Sequence, residues 1–217
     1  KSALTLGLAA HYARKGARVL LVDLDPQGSA SLALGAEATG EHLAAVLAGA
    51  AAPETVQYCT FSKCPPLGLL PGGPALEGIA APRPLREVLA AVDADLVLMD
   101  CPPGHADLDR LALGAADIVL ACCEPHRLAI AGAARVLDEA RAMQPRPRCA
   151  LVLGRMDDRR GLDRAAPDLL AGAFAVPVLA LRQDAALAGA LNVGGLPPAS
   201  GRAADDLEAV ARWIEKT

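Results

Sequence analysis

Aromatic residues make up only 2% of the chain, so a packed interior has to come from Leu, Val, Ile and Ala. There is no excess of basic charge: the formal net charge is −4, which excludes a globally basic nucleic-acid-binding surface and leaves only local patches. No apolar run approaches the roughly 20 residues that a spanning helix needs, and the N-terminus carries no signal-peptide pattern, so the expected compartment is the cytoplasm. No Cys-x-x-Cys pair occurs among Cys59, Cys64, Cys101, Cys122, Cys123 and Cys149, which removes the usual zinc spacing. Cys101, Cys122 and Cys149 fall near the ends of expected strands and read as reduced, buried thiols. Repeats, low-complexity tracts and an interdomain linker are also missing, so one domain is expected over residues 1–217.

What is present is an alternation of strands and helices. Residues 3–15 have helical spacing, with Leu4, Leu8 and Tyr12 on one side. Val19-Leu20-Leu21-Val22 is a continuous apolar run bounded by charge, the pattern of a strand buried on both faces. The same reading predicts strands at 67–70, 95–100, 118–122, 149–153 and 176–181, and helices at 41–48, 84–92, 127–143 and 203–215. Strands separated by helices imply parallel βαβ units: an α/β fold with a mostly parallel sheet and helices on both faces. Ligands of such sheets bind beyond the carboxyl ends of the strands.

Two strands end in acids. Asp23-Leu24-Asp25-Pro26-Gln27-Gly28 follows the first, and Asp100-Cys101-Pro102-Pro103-Gly104 follows the 95–100 strand. Carboxylates at a sheet rim can hold Mg²⁺ or orient water. Lys1-Ser2 enters the first helix directly. Lys-Ser at a helix start is how a phosphate-binding loop ends, with helix N–H groups facing the anion. His105 reads as a loop residue and His126 as a helix-start residue.

Taken together, Lys1-Ser2, Asp23-Leu24-Asp25-Pro26-Gln27-Gly28, Asp100-Cys101-Pro102-Pro103 and the segment from Gly194 to Asp206 resemble the ParA/MinD family of deviant P-loop ATPases, nearest to ParA/Soj-type partition ATPases. The resemblance implies a three-layer P-loop NTPase fold whose first strand and Gly-rich loop half would precede residue 1; without that half, weak ATP binding is expected. It implies ATP and Mg²⁺ as cofactors. Lys1 and Asp25 are the implied catalytic residues, Asp25 orienting the attacking water. Lys1, Ser2, Ala3, Arg155 and Arg182 are implied at the nucleotide, and Ser2, Asp100 and Asp23 at the metal, with support of the switch loop as the alternative for Asp23. Gly154 stands where many members carry an Asn that hydrogen-bonds adenine, which leaves the base preference open and Arg155 to stack on or cover the base. The resemblance further implies slow hydrolysis, a homodimer on ATP binding, and non-specific DNA binding through Arg182, Arg202, Arg212 and Lys216. A second basic cluster is Arg155, Arg159, Arg160 and Arg164, diluted by Asp157, Asp158, Asp163, Asp205, Asp206 and Glu208. A ParB-like or cargo-adaptor activator and association with the nucleoid are the implied partner and place. Alternatives are a MinD-like membrane-surface switch, which needs a basic amphipathic C-terminal helix, a non-catalytic scaffold, and an iron–sulfur carrier, for which the cysteine spacing is unsuitable.

Overall fold

A computed structural model describes residues 1–49, 56–59, 66–79, 84–157, 159–192 and 197–216. Cys64, Asp158 and the stretch 194–196 of the expected C-terminal loop lie outside the described residues. The elements run α1 (Ser2–Arg14), β1 (Val19–Asp23), α2 (Ser29–Ala33), α3 (Glu41–Leu47), β2 (Gln57–Cys59), β3 (Leu67–Leu70), a 3-10 turn (Pro74–Leu76), α4 (Leu85–Leu89), β4 (Leu96–Asp100) and α5 (Ala106–Ala115). They continue with β5 (Ile118–Cys123), α6 (Arg127–Ala142), β6 (Arg148–Met156), α7 (Gly161–Phe174), β7 (Val178–Arg182), α8 (Ala185–Asn192) and α9 (Arg202–Glu215). The chain divides into two compact units: Ser2–Ala115 with Leu187–Pro197, and Ala116–Ala186 with Pro198–Thr217 and Lys1.

The first unit holds a four-stranded sheet in the order β2-β3-β1-β4. β1 runs parallel to β3 and to β4, and only the short β2 is antiparallel, paired with β3. β1 is central and buried along its whole length, as its unbroken apolar run requires. β4 was expected to be equally buried. It is half-buried from Leu96 to Met99, because it is the outermost strand of this sheet, and fully buried only at Asp100. Leu20, Val22 and Leu24 pack with Leu43, Val46, Leu47, Leu70 and Val88, so the helices α3 and α4 cover one face. The helix α1, buried nearly all round, packs against β1 and β4.

The second unit holds a parallel three-stranded sheet, β5-β6-β7. Leu137 of α6 and Leu151 and Leu153 of β6 lie at its core. The apolar side of α9, carrying Leu207, Val210 and Ala211, is buried. The helix is fixed at its carboxyl end: Arg148 donates to the carbonyls of Trp213 and Ile214 and stacks over the Trp213 ring at 4.7 Å. A cation there satisfies orphan carbonyls and complements the helix dipole.

The parallel α/β pattern is the one expected. Strand β6 extends to Met156, beyond the expected residue 153, and β7 starts after Pro177, whose missing N–H cannot join the ladder. The helices α2, α5, α7 and α8 and the strand β2 were not anticipated. Cys101, Cys122, Cys123 and Cys149 are free thiols, but only Cys123 is buried; the others are half-buried.

Candidate functional site

The parallel register places Asp23 of β1 directly beside Asp100 of β4, both at the carboxyl ends of their strands. The site is thus built by two apolar strands that each stop on an acid. Asp23 is 0% exposed and Asp100 2%. Burial is the main reason both carboxyl groups are pushed above their ordinary range, and each is also raised by a neighbouring carboxylate, Asp100 for the first and Asp25 for the second.

The two acids differ in how they are satisfied. Asp23 is saturated: Oδ2 accepts the Ser31 N–H at 2.9 Å and the Ser31 hydroxyl at 2.7 Å, and Oδ1 accepts the Asp25 N–H at 3.1 Å. Its geometry supports the loop rather than an ion. Asp100 is open: Oδ1 accepts from the Thr5 hydroxyl at 3.1 Å and the carboxylate also receives the Ser2 hydroxyl, whereas Oδ2 is buried without a hydrogen-bond partner. Ser2 and Thr5 stand three residues apart on the first turns of α1, so one helix face presents both hydroxyls.

Asp25 lies half-buried on the loop after β1, with Oδ1 accepting the Gln27 N–H at 2.8 Å. The loop turns through Gly28, whose φ of 60° is left-handed, into α2. Against it rests the Pro71-Gly72-Gly73-Pro74 loop that follows β3. A Cβ on Gly72 would sit 2.6 Å from the Asp25 carbonyl and 2.7 Å from the Asp23 carbonyl. Gly72→Ala is therefore expected to lower stability by about 1–3 kcal/mol through overpacking, read as a lower urea midpoint with an unchanged slope.

The donor set fits a small hard cation. Among the described residues no group of three or more His, Cys, Asp or Glu side chains is arranged to enclose an ion. One carboxylate with a spare buried oxygen, next to a serine hydroxyl at a helix start, suits magnesium, which keeps several waters and relies on few protein ligands. Without cation or nucleotide, the buried Asp100 charge opposes folding. A carboxyl whose folded pKa is raised destabilises the protein above that pKa and has no effect below its unfolded value. Asp100→Asn is thus expected to stabilise the nucleotide-free protein in chelator at neutral pH by about 1 kcal/mol. The gain should shrink as the pH falls toward 4 in thermal melts; a gain that grows on acidification would contradict the linkage.

Arg155 and Arg182 occupy the carboxyl ends of β6 and β7 in the other unit. Arg155 sits at a bulge with φ 55°, a strained value for a non-glycine residue, and pairs with Glu124 at 3.0 Å. Arg182 is engaged with Asp206 of α9 through its backbone N–H at 2.8 Å and its guanidinium at 2.6 Å. Arg202 and Lys216 are exposed, and Arg212 is exposed with Glu208 at 3.3 Å. In the second basic cluster Asp157 holds Arg159 at 2.9 Å and lies 3.9 Å from Arg160. His126 caps α6, its Nδ1 accepting the Ala129 N–H at 3.4 Å, and the exposed His105 accepts the Asp109 N–H through its carbonyl at the start of α5. Lys1 is exposed and directly precedes α1; Ala3 is half-buried within it.

The sequence reading missed Thr5, Ser31, Gly72, Glu124 and Asp206. Thr5 had a signal, since it shares a helix face with Ser2. The Asp206 contact with Arg182 spans 24 residues and has no local signature.

A family model described as "AAA domain" matches residues 1–152. The chromosome-partitioning ATPase Soj of Thermus thermophilus is 39% identical over 175 residues, covering 75% of this chain and 66% of that protein. The alignment thus spans just under two thirds of that relative. The apo form of McdA from Cyanothece superimposes with a TM-score of 0.82 at 17% identity, over 98% of this chain and 94% of that one. The cobyrinic acid a,c-diamide synthase of Mycobacterium smegmatis, solved with an ATP analogue and magnesium, has a TM-score of 0.77 at 23% identity, over 100% and 92%.

Proposed function

Because the chain belongs to the ParA/MinD family of P-loop ATPases, we propose that it is a slow Mg²⁺-dependent ATP hydrolase whose nucleotide state switches a homodimer used in DNA partition or cargo positioning. The observation that carries this reading is the open oxygen of the buried Asp100 beside Ser2 and the Asp25 loop. In this reading residues 1–217 form one nucleotide-binding domain.

Ser2 and Asp100 would hold Mg²⁺, Asp100 through water. When bound, the ion neutralises charge on the terminal phosphates. The N-terminal turn of α1, with Ser2 and Ala3, faces the phosphates with free N–H groups, and Lys1 adds a positive charge. Asp25 orients the attacking water, and Asp23 keeps the Asp25 backbone in place through its 3.1 Å hydrogen bond. Catalysis here is positioning and electrostatics. Arg155, which pairs with Glu124 at 3.0 Å, is the proposed neighbour of the base; a similar role for Arg182 requires its pair with Asp206 to open. ATP bound between two protomers would favour the dimer by differential affinity.

For DNA, the exposed Arg202, Arg212 and Lys216 are the proposed phosphate contacts, with steep salt dependence. A ParB-like or cargo-adaptor activator, the cytoplasm and the nucleoid complete the proposal. The membrane-surface alternative would need a free amphipathic face, and in α9 the apolar face carrying Leu207, Val210 and Ala211 is buried.

The test is ATP turnover by the full-length protein with and without Mg²⁺ and DNA, together with size-exclusion chromatography in ATP. Magnesium-dependent turnover with an ATP-dependent dimer supports the reading. A full-length protein that neither binds nor hydrolyses ATP overturns it.

A further inference from the structure

Asp25 has to be held still to orient a water molecule, and the loop that carries it begins one residue after a strand and ends in a helix of five residues. A helix that short has no stability of its own. Its position is set by one buried hydroxyl. Ser31, 0% exposed, donates through Oγ to Asp23 Oδ2 at 2.7 Å and accepts the Gly72 N–H at 3.0 Å. Its own N–H donates to the same carboxylate oxygen at 2.9 Å. The other oxygen of Asp23 accepts the Asp25 N–H at 3.1 Å. A continuous relay therefore runs from the loop after β3, through Ser31 and Asp23, to the backbone of Asp25.

The relay is closed to solvent and to alternatives. Gly72 approaches so closely that a Cβ would lie 2.8 Å from the Asp23 carboxyl carbon. No side chain can enter between the two loops, and the Gly72 N–H has the Ser31 hydroxyl as its partner. A water molecule replacing that hydroxyl would have to fit into a fully packed site.

We propose that Ser31 is a positioning residue for hydrolysis, fixing Asp25 by tying α2 and the Gly72 loop to Asp23. The claim rests on the ATPase reading above. Removing the hydroxyl leaves the Gly72 N–H and one lone pair of Asp23 unsatisfied and lets the Asp25 backbone drift. A displacement near 1 Å in such a site is worth about 100-fold in rate. Substrate binding, which depends on α1 and Asp100, stays intact.

The experiment compares wild type, Ser31→Ala and Ser31→Thr in steady-state ATP turnover. The expected result is a 10- to 100-fold lower kcat for Ser31→Ala with KM for ATP within about twofold, and near-normal kcat for Ser31→Thr, which keeps the hydroxyl. An unchanged kcat in Ser31→Ala, a raised KM with normal kcat, or an equal loss in Ser31→Thr overturns the proposal while leaving the ATPase reading standing. All three proteins are measured in full-length form, and full-length wild type without turnover sinks the ATPase reading itself, and the proposal with it. If Ser31→Ala does not fold, amide exchange in nucleotide-free wild type decides. Protection of the Gly72 and Asp25 amides supports the relay, and exchange at open-loop rates overturns it.

Discussion

Asp25→Ala is expected to lower ATP turnover by about 100-fold or more, the usual contribution of a positioned acid or base, while the protein still folds, binds ATP and accumulates as a dimer. The fold should survive because Asp25 is half-buried and its carboxylate caps only the local turn through the Gln27 N–H at 2.8 Å. The buried Asp23 network uses the Asp25 backbone, which alanine retains. Affinity should survive because Ser2, Thr5 and Asp100 are untouched. With hydrolysis removed, the ATP state has no exit, so size-exclusion chromatography in ATP should show a persistent dimer where wild type returns to monomer. A variant that stays monomeric in ATP, or turns over at the wild-type rate, would remove Asp25 from its assigned role.

Arg182→Ala is expected to destabilise the protein by about 3 kcal/mol, the range seen when one partner of a buried ion pair is lost. Asp206 retains only 10% side-chain exposure and takes its donors from Arg182: the backbone N–H at 2.8 Å and a forked guanidinium at 2.6–3.1 Å. Truncating the arginine removes the charge and the forked donors and leaves that carboxylate only the backbone N–H of residue 182. Replacing both members, Arg182→Met with Asp206→Leu, should recover much of the loss, because no charge is then left without a partner. Denaturant melts of the single and double variants test this. A single variant with wild-type stability but weakened, salt-sensitive DNA binding would reverse the assignment and return Arg182 to the nucleic-acid contacts.

The contrast between Arg182 and Asp25 shows where reading residues in order succeeds. Asp25 and Asp100 were legible because the signal is local: an apolar strand, then an acid, then a Pro- or Gly-bearing turn. Arg182 was expected at the nucleotide or at DNA, and its pairing with Asp206 was not legible, because that partner arrives from α9, 24 residues later. The same holds for the helices. α7 carries Pro167 inside it, a residue that reads as a break because it removes a backbone donor and crowds the preceding turn, yet the helix continues through it. α2 is too short for any period to emerge, and it stands because Ser31 is anchored to Asp23.

By its own pattern the sequence determined the alternation of elements, the parallel class of the sheets and the two strand-tip carboxylates, since each depends on neighbours within a few residues. Only the tertiary structure decided that Asp23 is saturated while Asp100 keeps an open oxygen, that Gly72 closes over the Asp25 loop, and that Arg182 is bound to α9. The physical reason is that hydrogen-bond satisfaction and steric clearance belong to pairs of groups far apart in the chain, and become definite only when packing brings them together.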